Sequence, residues 1–262
     1  MQDLGALLES HYKFRNENED FSSPDPLKIA KEYKNHELAD LICLFCALFA
    51  YGSAAQIVKF LQKIENLTSH FNDLKNPSKI AKTTFPKYRF NTENDVKQML
   101  LALSNLAKTP DLLKITALNA YQNAKSTKNT KGAKIIKAIY AMQDLLYENL
   151  PQNDKNASFG LTHLISKRGS TSALKRWNMF LRWMIRKDNL DLGLWPEFST
   201  SDLLLPLDTH TFKICNKLGL LNTKICNLDA VIKASKNLAA FCQADPIKYD
   251  FALYRAGQEN SV

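Results

Sequence analysis

An acidic residue directly before a predicted helix can hold the helix end or take part in chemistry. Asp208 stands between the apolar run "LLLPL" and the amphipathic stretch "THTFKICNKLGL", which Gly219 ends. Asp is a favoured N-cap because its side-chain oxygen accepts a hydrogen bond from a free N–H group of the first turn. The helix N-terminus also keeps such a carboxylate charged, so that it can stabilise positive charge on a substrate. These roles are compatible, and we expect Asp208 to fill both.

The helix predicted over "LKRWNMFLRWMIR" carries a second set of polar residues. A helical wheel places its large apolar residues on one side, which predicts a core face: Trp177, Phe180, Leu181 and Met184. The opposite side collects cations and an amide, with one methionine beside them: Lys175, Asn178, Arg182, Arg186 and Met179. Such a stripe is either a solvated face or a surface that holds an anionic backbone and a base. Under the second interpretation, Met179 and Arg182 contact the base and Arg186 contacts the backbone.

A short predicted helix and the turn "RGSTS" come immediately before this stripe. A tight helix–turn–helix with a glycine and free N–H groups at a helix start is a common phosphate site. We therefore expect Arg168, Gly169 and Ser170 to contact a nucleic-acid backbone.

The rest of the chain is also predicted to be helical, with few stretches that alternate as strands do. Helices are predicted over "HELADLICLFCALFAYG", "SAAQIVKFLQKIENL", "TENDVKQMLLALSNLAK" with Thr92 as its cap, "GAKIIKAIYAMQDLLYENL" and "NLDAVIKASKNLAAFC". The last helix, "DPIKYDFALYRAG", is predicted to have Pro246 in its first turn and Gly257 at its end. Polar connectors are predicted around residues 72–91, 125–132, 151–157 and 187–201. The predicted fold class is all-α.

Composition narrows the class of protein. The 262 residues carry a net charge of +9, which suits an anionic partner such as nucleic acid but also occurs in basic housekeeping enzymes. Cys43 and Cys46 have the spacing of half a zinc site, yet they lie in an apolar helix without a second pair and are predicted to be core thiols. The longest apolar run, from Leu41 to Tyr51, is too short to span a bilayer, and the N-terminus is polar. We expect a cytoplasmic protein in a reducing compartment, without a membrane partner.

The order of these pieces resembles the helix-hairpin-helix DNA glycosylase superfamily, and "LPLDTHTFKICNKLGL" is similar to the motif of its endonuclease III type. The resemblance implies that Asp208 is the catalytic carboxylate and that Lys175 is the nucleophile of a lyase. The spacing of 33 residues between them is nearer to that of archaeal 8-oxoguanine DNA glycosylases. A lysine in a dry cleft near other cations, such as Arg182, would have a lowered pKa and could attack as the neutral amine. The four-cysteine signature is absent from the C-terminal part, so neither an iron–sulfur cluster nor another cofactor is expected.

The final helix, "IKYDFALYRAG", is similar to that of the archaeal 8-oxoguanine enzymes. This resemblance implies that Asp250 contacts the flipped base and that Tyr254, four residues later on the same face, stacks on it. The alternative is a helix cap and a core tyrosine. By the same resemblance, Tyr51 and Gly52 correspond in position to the loop that, in the superfamily, fills the space left in the base stack. A second candidate edge of the pocket is the segment with Tyr88, Arg89 and Phe90, for which the sequence suggests no mechanism.

Several segments, among them "FAYG", "DLGLW" and "KYDFALYR", are also similar to a bacterial family of unknown function over most of the chain. We therefore predict a two-lobed, all-α helix-hairpin-helix glycosylase with AP lyase activity, acting on 8-oxoguanine in damaged double-stranded DNA. One lobe would contain residues 1–35 and 195–262. The other, residues 36–194, would end in the hairpin at about 158–187, with Lys175 and Asp208 in the cleft between the lobes. The alternatives are a glycosylase for another damaged base and a non-catalytic helix-hairpin-helix protein that binds DNA structure. Nothing in the sequence indicates an obligate protein partner, and a nucleoid-associated location is expected.

Overall fold

A computed structural model describes residues 2–124, 132–151 and 157–259. These residues form thirteen α-helices and two short 3₁₀ segments, without a β-strand among them, which confirms the all-α prediction. The α-helices are α1 (Gln2–Asn18), α2 (Pro26–Glu32), α3 (Ala39–Leu48), α4 (Ala54–Leu67), α5 (Pro77–Lys82), α6 (Glu93–Leu106), α7 (Leu112–Gln122), α8 (Ala133–Asn149), α9 (Phe159–Ile165), α10 (Lys175–Ile185), α11 (Thr209–Lys217), α12 (Leu228–Leu238) and α13 (Asp250–Glu259). The 3₁₀ segments are Asn72–Lys75 and Thr200–Asp202.

Local capping chemistry explains several of the predicted boundaries. Thr92 forms a reciprocal capping box with Asp95 at the start of α6, which confirms its predicted role as the cap. The last helix differs from the prediction, because Pro246 and the three residues after it form turns and α13 begins only at Asp250. It also continues past Gly257, whose missing side chain serves packing rather than helix termination.

Four helices lie outside the predicted ones: α1, α2, α5 and α7. Helix α5 falls inside the segment 72–91, which was predicted to be a connector. Its start is nevertheless well specified, since Asn76 caps the N–H of Lys79 and Pro77 occupies the first helical position. Asp25 and Pro26 begin α2 in the same way. The predicted connector 125–132 lies almost entirely outside the described residues, and so does most of 151–157.

The chain divides into two compact units. We call Met1–Ser22, Ala124–Ile136 and Thr171–Val262 the terminal unit, and Ser23–Asn123 and Lys137–Ser170 the central unit. The divisions fall at 22/23 and 170/171 rather than at the predicted 35/36 and 194/195. Helix α10 belongs to the terminal unit, and Arg182 within it and Arg186 directly after it form ion pairs with carboxylates of that unit. Lys175 and Asp208 therefore lie in the same unit rather than in different lobes.

In the terminal unit, α13 packs against α11 and α1. The contact with α11 is close at Gly257, where an added Cβ would lie 3.2 Å from the Cβ of His210 and 3.3 Å from Cγ1 of Ile214. A larger residue at this position would push the two helices apart. The start of α11, with its cap Asp208, is thus held against α13, the helix that begins with Asp250.

In the central unit, α3 is buried along almost its whole length and packs against α2. Cys43 and Cys46 are fully buried in it, and burial raises the pKa of both thiols, so the prediction that they are core residues is confirmed. Within the described ranges, no group of three or more His, Cys, Asp or Glu side chains is arranged to hold a metal ion. None of the helices in those ranges is both long and apolar enough to cross a membrane.

Candidate active site

Asp208 is the N-cap of α11. Its Oδ1 atom accepts hydrogen bonds from the backbone N–H groups of His210, at 2.9 Å, and Thr211, at 2.8 Å. Both bonds end on the same oxygen, and Oδ2 has no hydrogen-bond partner among the described residues. The capping role is confirmed. The cap occupies only one of the two carboxylate oxygens.

Lys175 is the first residue of α10 and is partly exposed. The residue before it, Leu174, is buried and has a left-handed backbone with φ 49° and ψ 32°, although it has no side-chain capping bond to offer. A non-glycine residue in this conformation is strained, and such residues cluster at functional sites. The preceding loop is held by the N–H of Leu228, which donates to the carbonyl of Thr171 at 2.9 Å. The backbone thus sets the position of Lys175 firmly.

Helix α10 is buried on both of its faces. The predicted core residues Trp177, Phe180, Leu181 and Met184 are all 0–1% exposed, which confirms that face. The cationic stripe is buried too: Asn178, Arg182 and Arg186 are 0–4% exposed. These three residues therefore do not form a solvated face, whereas Lys175, at the start of the stripe, is partly exposed.

Carboxylates of the terminal unit surround the two arginines. Arg182 donates from Nε to Asp191 at 3.1 Å and from Nη1 to Asp250 at 2.5 Å. Arg186 bonds to Asp191 through Nη1, to Asp188 at 2.9 Å through Nη2, and to both oxygens of Asp245 at 3.0 Å through Nε.

This network corrects two predictions. Arg186 is not available to bind a DNA phosphate, since its donors are already used by three carboxylates. Arg182 is buried and paired with Asp191 and Asp250, so its guanidinium is not exposed for the predicted contact with a base. Arg182 acts instead as the group that positions Asp250. Met179 lies on the same helix and is 7% exposed, and its contact with a base stays a prediction.

Asp250 is the first residue of α13 and is 3% exposed. Arg182 holds its Oδ2, whereas Oδ1 has no hydrogen-bond partner among the described residues. Burial raises the pKa of Asp250 to about 6, and the negative charge of Asp208 adds to the increase. The positive charges of Arg182 and Lys175 oppose it. Asp208 and Lys175 are therefore near enough to Asp250 to act on it electrostatically.

The buried thiol of Cys215, on α11, lies close to the same carboxylates. Burial raises its pKa to about 12, and the charges of Asp250 and Asp208 contribute to the increase. Lys175, Asp208 and Asp250 all belong to the terminal unit, and the charges of Lys175 and Asp208 both act on Asp250. Each of the two carboxylates has one oxygen fixed by hydrogen bonds, and the other has no hydrogen-bond partner among the described residues.

Tyr254 lies four residues after Asp250 in α13, as predicted, and is partly exposed. Its ring is 6.3 Å from that of Phe251, and the guanidinium of Arg255 lies 5.8 Å from its centroid. Arg255 in turn donates a hydrogen bond of 2.9 Å to Glu19, the residue directly after α1. The stacking role of Tyr254 stays a prediction.

The remaining predicted site residues belong to the central unit. Tyr51 donates its hydroxyl to the backbone carbonyl of Tyr88 at 3.1 Å, and Gly52 has φ +102°. Arg168 is exposed and pairs with Asp144 at 2.7 Å, a contact that a phosphate could replace. Gly169 has φ +74°, and the N–H of Ser170 donates to the carbonyl of Lys167, which closes the predicted turn after α9. The contacts that these residues make with DNA stay predictions.

The sequence matches the family described as "Protein of unknown function (DUF2400)" over residues 25–259, which is most of the chain. The chain belongs to this family. No curated protein and no solved structure matches the chain.

In this DUF2400 protein, the functional feature that the sequence analysis missed is the set of carboxylates around α10. Asp188 and Asp191 lie in the segment 187–201, which was predicted only as a polar connector. Their signal was present in "KDNLDLG", where two acids follow closely on the last cation of the stripe. The short bridge between Lys187 and Leu192 folds this segment back onto the helix end. Asp188 Oδ1 also accepts from the N–H groups of Leu190 and Asp191, which fixes the turn.

Proposed function

We propose that this protein is a base-excision DNA glycosylase with AP lyase activity, acting on an oxidised purine of the 8-oxoguanine type. The observation that carries the proposal is the convergence of Lys175 with two half-anchored carboxylates, Asp208 and Asp250. An anchored carboxylate with one free oxygen provides a charge that need not reorganise during the reaction. The net charge of +9 agrees with a polyanionic substrate.

The proposed chemistry begins at C1′ of the damaged nucleotide. Lys175 gives up a proton to solvent, and its neutral Nζ attacks C1′ while the bond from C1′ to the base breaks. The electron pair leaves with the base, which takes up a proton. Positive charge develops on the sugar during this step, and Oδ2 of Asp208 stabilises it. Opening of the sugar ring gives a Schiff base, and removal of a C2′ proton then expels the 3′-phosphate.

Asp250 supports a purine with a donor edge as the substrate. Arg182 holds its Oδ2, and Oδ1 can accept from the N1–H or the 2-amino group of a guanine-type base. Tyr254, one turn later in α13, supplies an aromatic face for such a base. A base without a donor at that edge would leave Oδ1 of Asp250 without a partner, which disfavours binding of such a base.

The experiment is borohydride trapping with three duplexes of the same sequence, containing 8-oxoguanine, an abasic site or no lesion. We expect a covalent protein–DNA complex with the first two duplexes and none with the third, because only a Schiff base is reduced to a stable adduct. Trapping on the abasic duplex alone would show a lyase that does not remove 8-oxoguanine. DNA binding without trapping on any duplex would support the non-catalytic alternative and overturn the proposal.

A further inference from the structure

The central unit exposes a set of aromatic rings together with one arginine. We call this set the aromatic surface: Tyr51, Arg89, Phe90, Phe159 and His163. Phe90 is 51% exposed and Phe159 is 74% exposed, which is far from the usual environment of a phenylalanine. Their ring centroids lie 6.2 Å apart in an edge-on arrangement, and both rings also contact His163. The Tyr51 ring lies almost parallel to Phe90, with centroids 6.2 Å apart.

The turn that presents Phe90 is fixed by several hydrogen bonds. Tyr88 and Asn91 exchange two backbone bonds of 2.9 and 2.8 Å across it. The Tyr51 hydroxyl bonds to the Asn91 side chain and to the Tyr88 carbonyl, and the Tyr88 hydroxyl donates back to the Tyr51 carbonyl at 2.6 Å. Arg89, at the tip, has a left-handed backbone with φ 50°, a conformation that persists in a non-glycine residue only when the surroundings impose it. The exposed ring of Phe90 is therefore held rigidly.

The position of Phe159 is set in a comparable way. Ser158 caps α9 and donates to Asp95 of the α6 capping box at 2.5 Å. Gly160 lets α9 approach this box, because an added Cβ would lie 2.2 Å from Oδ2 of Asp95 and 2.8 Å from the carbonyl oxygen of Phe90. The close approach places Phe159 beside Phe90. The backbone next to each exposed ring is thus fixed by partly buried polar contacts.

We propose that the aromatic surface binds an unpaired DNA base, which stacks on Phe90 and Phe159. This inference rests on the proposed function in one respect, namely that the ligand is DNA. Stacking on aromatic side chains is the usual way in which proteins hold unpaired bases, and it tolerates every base because each has a π-face. An enzyme that extrudes a base also leaves its partner base unpaired, so the DNA in such a complex contains an unpaired base.

The charge of the surface favours this occupant. The guanidinium of Arg89 lies 5.7 Å from the Phe90 centroid and 6.0 Å from that of Tyr51, and it has no carboxylate partner among the described residues. Lys87, two residues before it, is exposed. A cation beside exposed rings matches a phosphate next to an unstacked base. An apolar contact with a second copy of the chain would bring two such cations together instead.

The test is the binding of a short single-stranded oligothymidylate with one central 2-aminopurine, whose fluorescence falls on stacking. We expect Phe90→Leu and Phe159→Leu each to weaken binding by roughly 5- to 150-fold and to abolish the fluorescence decrease. The matched control is Ile115→Ala, which changes another exposed apolar residue of the central unit, 48% exposed, and should leave both signals at the parent level.

Each outcome has one meaning. Unchanged affinity and fluorescence in a Phe90→Leu, Phe159→Leu double variant would overturn the proposal. Dimerisation of the parent that the double variant loses, measured by light scattering, would assign the surface to a second copy and would also overturn it. Lys213→Gln, at an exposed lysine of α11 outside the aromatic surface, should bind the oligonucleotide as the parent does. Stacking in a protein that traps no lesion DNA would support this inference while the proposed function fails, so the two are distinguishable.

Discussion

Arg182 and Arg186 of the terminal unit and Arg89 of the central unit occupy opposite environments. Arg182 and Arg186 are 4% exposed and each pairs with two or three carboxylates. Arg89 is exposed, lies over aromatic rings and has no carboxylate partner in the described part of the chain. A count of basic residues therefore does not identify the cations that a nucleic acid can reach. The buried arginines Arg182 and Arg186 hold carboxylates in place, whereas Arg89 is open to solvent.

The largest expected difference between these arginines is in stability. Arg186→Met removes the partner of three carboxylates, and breaking a buried ion pair from one side lowers the free energy of unfolding by about 3–5 kcal/mol. Arg89→Met should change it by less than about 0.5 kcal/mol, since the side chain is exposed and both residues meet the same left-handed backbone with a Cβ. Urea unfolding followed by circular dichroism measures both. Equal losses in the two variants would show that the contrast in burial has no energetic consequence.

Asp208 provides a test in which rate and stability separate. Asn can still cap α11, so Asp208→Asn should lower stability by about 1 kcal/mol or less. It removes the negative charge, however, and the loss of one preorganised electrostatic group reduces the rate by roughly 10²–10³-fold. Single-turnover excision of 8-oxoguanine and a thermal melt provide the two values. A folded variant that excises at the parent rate would leave Asp208 with a capping role only.

Asp250 should contribute to excision of the base but not to cleavage of the strand at an abasic site. Asp250→Asn keeps the shape of the side chain and changes its free acceptor, so base excision should fall while cleavage of a preformed abasic site continues. An unpaired buried polar group costs about 1–3 kcal/mol, which corresponds to a loss of about 5- to 150-fold in excision rate. The ratio of the two rates is the informative quantity, because a general loss of stability would affect both substrates. Equal decreases would make Asp250 a structural residue.

The smallest expected effect is a pH dependence confined to base excision. Burial raises the pKa of Asp250 to about 6, so its carboxylate becomes fully charged only above that pH. The excision rate should rise between pH 5 and 7 in the parent, and cleavage of an abasic site should lack this rise. The folded state binds the Asp250 proton more tightly than the unfolded chain does, so this group alone makes the protein less stable as the pH rises from about 4 to 6. A common profile for both substrates would assign the titration to another group.

Local patterns in the sequence specified the elements but not the ion pairs. The capping residues Thr92 and Asp208 were recognisable because their partners lie within three residues along the chain. The apolar composition of α3 likewise predicted a buried helix. Helix α7 was missed because Asp111, the residue before its first turn, has a left-handed backbone and gives it no side-chain cap.

The candidate site shows where this kind of prediction ends. The helical wheel placed Arg182 and Arg186 on the same side, and both pair with Asp191. It could not show which groups they face. Their partners Asp245 and Asp250 are 59 and 68 residues away along the chain, so only the tertiary structure brings them together. The exposed pair of Phe90 and Phe159 depends in the same way on a contact between α6 and α9.

The central claim is that Lys175 attacks the damaged nucleotide. The most direct measurement is peptide mass spectrometry of the borohydride-reduced complex of the parent protein with 8-oxoguanine duplex, which identifies the modified lysine. The adduct should be on Lys175. Lys175→Gln should give no trapped complex, and the matched variant Lys213→Gln, at an exposed lysine of α11, should be trapped as the parent is. An adduct on a different lysine, or undiminished trapping of Lys175→Gln, would contradict the account.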